Sequence, residues 1–81
     1  MFLRGQVIRS VAGRDKDYLM VVTDSDEKYV YVCEGKERRL ANPKRKNPLH
    51  VEKTPWNLDE NRMSSDRRLR KALRELESDK E

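Results

Sequence analysis

The stretch Tyr18–Val22 (YLMVV) is five apolar residues in a row, preceded by the polar GRDKD and followed by the polar TDSDE. A run this short is typical of a strand that is buried on both faces. The segment Lys28–Cys33 (KYVYVC) alternates instead, with Val30 and Val32 on one face. Its other face carries Tyr29, Tyr31 and Cys33. The two segments predict a mainly β fold.

Three further segments are predicted to be strands. Gly5–Gly13 (GQVIRSVAG) is rich in β-branched residues and framed by glycines. A hairpin turn at Glu34–Lys36, where Gly35 supplies a positive φ, leads into Glu37–Ala41 (ERRLA). Pro48–Thr54 (PLHVEKT) is the last. Five short strands separated by turn residues predict a small antiparallel barrel, closed so that no strand edge stays unpaired.

A helix follows the predicted barrel. Four apolar residues fall at the spacing of one helical stripe: Leu69, Ala72, Leu73 and Leu76. Ser64 or Ser65 is the expected N-cap. The early cations and late acids of this helix oppose its dipole, so it needs a partner: the barrel, another protein or an anion. The predicted organisation is a barrel over residues 1–54, a linker over 55–63 and an amphipathic helix over 64–81.

The positive charge is concentrated in one segment. The net charge is +4, and residues 34–53 carry seven cations against three anions, while the segments on either side sum to zero. Clustered cations favour a polyanion such as RNA, because phosphates release counterions on binding. A solvated charged surface is the alternative.

Catalysis has little support in the sequence. Cys33 is the only cysteine and His50 the only histidine, and the two lie on separate predicted strands. No Gly-rich phosphate loop and no metal-ligand spacing occurs, so we expect no enzyme activity, no cofactor and no metal. The N-terminal residues form no sustained apolar run and no stretch approaches membrane-spanning length, so we expect no signal peptide and a cytoplasmic protein.

The candidate binding residues lie around a predicted basic loop. Lys44, Arg45 and Lys46 stand between Pro43 and Pro48, which limit the freedom of the backbone. The other candidate RNA contacts are Arg38, Arg39, Arg14, Lys16 and Lys53. Three basic elements are expected to converge on one rim of the barrel. They are the basic loop, the preceding strand with Arg38 and Arg39, and the first turn of the sheet with Arg14 and Lys16. The alternative is that two of these elements point elsewhere.

Other side chains have two interpretations each. The helix cations are either secondary RNA contacts or solvated residues opposite the apolar stripe: Arg67, Arg70, Lys71 and Arg74. Tyr29 and Tyr31 either stack on bases or support neighbouring strands, and packing is the favoured interpretation. Trp56 is expected to fasten the linker or the helix to the barrel.

The run GQVIRSVAGRDKDYLMVV and the hairpin YVYVCEGKERRLANPKRKNPLHVE resemble the KOW-motif proteins of the ribosomal large-subunit fourteen-e type, in particular their small bacterial members. The resemblance covers roughly residues 3–54. It implies a small SH3-like barrel that binds RNA, with ribosomal RNA the usual target. Gly13, Arg14 and Lys16 match the family's first turn, and Gly35 its hairpin glycine. Lys44, Arg45 and Lys46 match its basic loop.

One residue departs from the family pattern. Asp17 stands where the family has glycine, and aspartate adopts left-handed backbone angles better than most residues. The leading hypothesis is a non-enzymatic, rRNA- or ribosome-associated RNA-binding protein acting in translation, with ribosomal proteins as further expected partners. It contacts phosphates through the basic loop after strand 4. The alternative is a protein-interaction adaptor that uses the barrel surface and the helix.

Overall fold

The chain forms one antiparallel sheet and one long helix. The computed structural model describes residues 2–78. In chain order the elements are β1 (Gln6–Ser10), β2 (Leu19–Ser25), β3 (Val30–Cys33), β4 (Lys44–Lys46), a 3-10 turn (Pro48–His50), β5 (Val51–Asn57) and α1 (Asp66–Ser78). The strands lie in the order β4-β3-β2-β1-β5. The predicted mainly β fold followed by a C-terminal helix is confirmed, and it is consistent with a small SH3-like fold.

The sheet is open, so the predicted closure is wrong. Within residues 2–78, β4 and β5 are the two edges and do not pair with each other. The turn between β1 and β2 bonds to both sides instead. The Lys46 ammonium of β4 donates to the carbonyl of Ala12, and the amide of Val11 donates to the carbonyl of His50, just before β5. Contacts of this turn therefore connect the two edges of the sheet, which a closed barrel would join by a ladder of hydrogen bonds.

Alternation along the strands divides the apolar residues between two cores. One face of the sheet contributes Ile8, Met20, Val22, Val30 and Val32. The opposite face contributes Val7, Leu19, Val21 and Cys33, which pack with the helix. The prediction that Tyr18–Val22 is buried on both faces is confirmed for all but Tyr18, which is half exposed. The alternation predicted for β3 is confirmed as well.

The helix covers the second of these faces. Its predicted stripe is confirmed, since Leu69, Ala72 and Leu73 are buried and Leu76 packs against the same core. Ser65 is the N-cap, because its hydroxyl accepts a hydrogen bond from the amide of Arg68 at 3.2 Å. The partner that the helix needs is therefore the sheet itself.

The predicted linker belongs to the same packed unit. β5 continues to Asn57, three residues past the predicted end of the barrel, and Trp56 packs against the core that the helix shares. Leu58 and Met63 are buried there too. The helix begins at Asp66 rather than residue 64, and residues 79–81 of the predicted helix lie outside the described residues.

The segment predicted as the fourth strand, residues 37–41, is not a strand. The Glu34 carboxylate accepts the amides of Lys36 and Arg38, which folds the segment into a compact loop. The helix then bonds to this loop. The amide of Leu40 donates to the carboxylate of Asp66 at 2.8 Å, and the Arg70 guanidinium donates to the carbonyl of Gly35 at 2.7 Å. The strand that pairs with β3 comes later, at the residues predicted as the basic loop.

Replacing Gly35 with alanine is expected to destabilise the fold strongly. Its φ is +91°, and an added Cβ would lie 2.6 Å from the backbone carbonyl oxygen of Asp66. The left-handed backbone alone costs about 1–2 kcal/mol, and displacing the helix start adds to that. Gly13→Ala is the matched control, since its φ of +88° is similar but its Cβ meets no atom closer than 3.6 Å. Urea unfolding of both variants measures the difference, and equal losses would contradict a tight helix contact at Gly35.

Candidate nucleic-acid interface

The three consecutive cations form an edge strand. Lys44 pairs with Val32, Arg45 with Tyr31 and Lys46 with Val30. Lysine-rich edges are common because an exposed charged strand resists pairing with other chains. Pro43 and Pro48 stand just outside the strand, where the missing amide donor breaks no ladder. The predicted loop is therefore wrong, and the alternation of a strand sends its side chains to two different sides.

Lys46 and Lys44 turn toward a buried carboxylate in the first turn. The Lys46 ammonium lies 2.9 Å from Asp15 Oδ1, and the Lys44 ammonium lies 3.2 Å from Asp15 Oδ2. The hydroxyl of Ser10 donates to Asp15 at 2.7 Å. Burial opposes the ionisation of Asp15, but the bonds from Lys46, Ser10 and Lys44 outweigh it and lower its pKa to about 2. Asp15 is thus a carboxylate at neutral pH.

This pairing removes one of the predicted RNA contacts. The Lys46 side chain is only 6% exposed and is held by Asp15 and the carbonyl of Ala12, so it cannot reach a ligand. Lys44 keeps 31% of its side chain exposed, and Arg45 is exposed. The expectation that Lys44, Arg45 and Lys46 contact phosphates together from one loop is therefore wrong in its geometry.

A groove beside β4 brings together cations from three elements. Arg14 comes from the first turn, Arg38 from the loop before β4 and Lys44 from β4 itself. The groove has a volume of about 410 Å³, and its remaining lining residues are Asp15, Tyr18, Met20, Glu34 and Glu37. We call this surface the β4 groove. It meets in part the expectation that the three basic elements converge.

Arg45 lies on the other side of the strand, against the tyrosines. Its guanidinium stands 4.5 Å from the ring centroid of Tyr29, a cation–π contact. The hydroxyl of Tyr31 donates to Asp26 at 3.2 Å. Both rings are half-buried in contacts with their neighbours. The favoured interpretation of the tyrosines as packing residues accords with these contacts.

The remaining candidates of the barrel do not line the β4 groove. Lys16 and Arg39 are exposed on the first turn and on the loop before β4. Lys53 is on β5, with its ammonium 5.1 Å from the ring centroid of Phe2. Asp17 has a φ of +73°, which confirms the expected left-handed conformation. It lines a hollow on the helix side and is not among the residues that line the β4 groove.

The helix cations divide into two groups. Arg70 is half-buried, and its guanidinium donates to the carbonyl of Gly35. Arg74 lines the same hollow on the helix side as Asp17. Arg67 and Lys71 instead line a surface hollow with Arg62 and Arg68, two residues that the sequence interpretation missed. Arg68 could have been found from its spacing, because it lies three residues before Lys71 and so on the same side of a helix. Arg62 lies before the helix, where no periodicity identifies it.

The only thiol and the only imidazole take no part in a reactive pair. Cys33 is buried between the sheet and the helix, and burial raises its pKa to about 12, so the thiol stays protonated. His50 is exposed at the end of the 3-10 turn. Residues 2–78 contain no group of three or more acidic, cysteine or histidine side chains suited to a metal. No helix in this part of the chain has the length and apolar character to cross a membrane.

Removing the carboxylate of Asp15 is expected to destabilise the fold. Asp15→Ala leaves the Lys46 ammonium buried without its counter-ion, which costs about 3 kcal/mol. Lys46→Met removes that ammonium while keeping the aliphatic chain, so the double variant should lose less than the sum of the two single losses. Urea unfolding of the four proteins measures the coupling. Additive losses would contradict the buried pair.

The same group makes stability depend on acidic pH. The pKa of Asp15 is lowered in the folded protein, so its contribution is complete above the ordinary value of 3.8 and is lost as pH falls toward about 2. Wild type should therefore lose more free energy of unfolding between these pH values than Asp15→Ala does. Denaturant unfolding at a series of pH values tests this, and parallel curves would contradict it.

Comparison with known proteins leaves the family of this chain open. No family model matches it, and no curated protein matches it.

Proposed function

We propose that the protein is a non-enzymatic RNA-binding module that contacts the phosphate backbone beside β4. The observation that carries this proposal is that Arg14 and Arg38, from two different elements, line one groove with Lys44, whose ammonium also pairs with Asp15. Arg45 is a further exposed cation on the outer side of the same strand, beside Asp26 and Glu27. The proposed target is ribosomal RNA, with the ribosome and its proteins as surroundings. The proposed place of action is therefore the cytoplasm, in translation.

The acids of the β4 groove are largely engaged within the protein. Asp15 is neutralised by Lys46 and Lys44, and Glu34 accepts two backbone amides. Glu37 is the remaining carboxylate of the lining. Arg14 and Arg38 are therefore available to an external anion, and the planar guanidinium binds phosphate through two parallel hydrogen bonds.

Backbone contact is a better match to this surface than base reading. Arg45 covers Tyr29, and Tyr31 is hydrogen-bonded to Asp26. Asp26 and Glu27 line the same side and would repel phosphate. For RNA bases to stack on these rings, Arg45 and Tyr31 would have to leave their present contacts. The phosphates of the RNA would also have to lie beside Asp26 and Glu27. Recognition by charge and shape avoids both costs.

The adaptor alternative loses one of its two supports. In that hypothesis the leucine stripe of the helix binds in a groove of the partner protein. In the structure Leu69 and Leu73 are buried instead. The barrel surface remains as a place for a protein partner. Leu49, with 84% of its surface exposed, is the most exposed large apolar residue among the described part of the chain. Single exposed side chains of this kind are normal on soluble domains.

Removing the exposed cations of the β4 side should weaken RNA binding and flatten its salt dependence. The variant is Arg14→Gln, Arg38→Gln and Arg45→Gln, which leaves the Asp15 network intact. Fluorescence anisotropy with a labelled ribosomal RNA hairpin at several salt concentrations gives the affinity and its slope. Losing three phosphate contacts should make the slope of log K against log salt shallower by about 2.

A matched variant controls for net charge. Arg4→Gln, Lys28→Gln and Lys36→Gln also removes three cations, none of which lines the β4 groove. This control should keep most of the affinity. Equal losses in the two variants would mean that binding follows net charge alone. Failure of the wild type to bind RNA would refute the proposal and make the adaptor the hypothesis to pursue.

A further inference from the structure

A second basic hollow lies along the helix, away from the β4 groove. It is lined by Arg62, Arg67, Arg68 and Lys71, together with Asn61, Ser65, Ala72 and Glu75. We call it the helix groove. Its volume is about 620 Å³, and it shares no lining residue with the β4 groove. Four cations face a single carboxylate there.

The cations of the helix groove have little internal compensation. Within residues 2–78, the ion pairs identified involve Arg4, Lys44 and Lys46, and none of the four groove cations is among them. Arg68 donates to the side-chain oxygen of Asn61 at 2.9 Å, which orients its guanidinium without neutralising it. The groove therefore keeps its positive charge in the folded protein, whereas Lys44 of the β4 groove is paired with Asp15.

Holding these charges together is unfavourable for the helix alone. Arg67 and Lys71 lie at i and i+4, and Arg68 and Lys71 at i and i+3, which are repulsive spacings for like charges. Arg67 and Arg68 also stand in the first turn, where the helix dipole disfavours cations. Asp66, the acid of that turn, is engaged by the amide of Leu40. An external anion would relieve both kinds of repulsion.

We propose that the helix groove is a second binding surface for the RNA phosphate backbone, which rests on the proposed RNA-binding function. A single phosphate monoester carries at most about two negative charges, so four cations match several successive phosphates better than one small anion. Three of the four are arginines, whose planar fork suits phosphate oxygens. Arg62 comes from the segment before α1 and the other three cations from α1 itself, so two parts of the chain supply the positive charge of the hollow.

Two surfaces on one small protein change how it binds. An RNA that reaches both grooves is held by two linked contacts, and the second is favoured by the high effective concentration that the first creates. Loss of either surface should then lower the affinity for such an RNA. The contribution of each can be measured separately, because the two grooves are lined by different residues.

The test uses the full chain and the variant Arg62→Gln, Arg67→Gln and Lys71→Gln, which keeps the Arg68–Asn61 bond. The probe is the same labelled ribosomal RNA hairpin, titrated across salt concentrations beside the Arg4, Lys28 and Lys36 control. We expect at least a tenfold loss of affinity relative to that control and a salt slope shallower by about 2. Thermal melting should show no loss of stability, because the substitutions relieve repulsion within the helix.

The outcomes separate this inference from the proposed function. If the helix variant binds like the control while the β4 variant loses affinity, the helix groove is not a contact and the proposed function stands. If the helix variant alone loses affinity, the inference holds and the principal RNA surface moves to the helix. If the wild type does not bind the RNA but binds polyglutamate, and the helix variant loses that binding, both the proposed function and the inference are overturned.

Discussion

The arrangement of this small protein depends on one buried ion pair. Lys46 and Asp15 are 31 residues apart in sequence. Their contact joins the edge strand β4 to the turn between β1 and β2. A lysine this buried is tolerated because the carboxylate of Asp15 and the carbonyl of Ala12 accept hydrogen bonds from its ammonium. Once Lys46 points inward, the alternation of β4 sends Arg45 to the outer surface. The pair therefore decides which of three adjacent cations can meet a ligand.

The helix responds to a second constraint, a sheet with apolar residues on both faces. The face carrying Val7, Val21 and Cys33 would be exposed without α1, and α1 would be marginal without that face. Polar bonds align the two. Asp66 receives the amide of Leu40, and Arg70 binds the carbonyl of Gly35. Packing thus offsets a charge distribution that opposes the helix dipole, and it leaves cations uncompensated on the outer side of the helix.

The basic surplus of residues 34–53 is consequently not a single patch. Part of it neutralises Asp15 inside the fold, part faces the β4 groove, and Arg45 stands over Tyr29. Residues 54–81 have no net charge in sequence, yet four of their cations line one hollow with a single acid, Glu75. Local geometry, more than the count of charges in a segment, determines where a polyanion finds an attractive surface.

The sequence by itself determined the features that repeat with a local period. The alternation of β3, the two-sided burial of Leu19–Val22 and the leucine stripe of α1 all follow from neighbouring residues. The tertiary structure decided the rest. A strand made of three cations has no apolar pattern to reveal it, and it forms because β3 offers an unpaired edge. The burial of Lys46 and the grouping of Arg62 with α1 depend on contacts between distant segments, which no local pattern encodes.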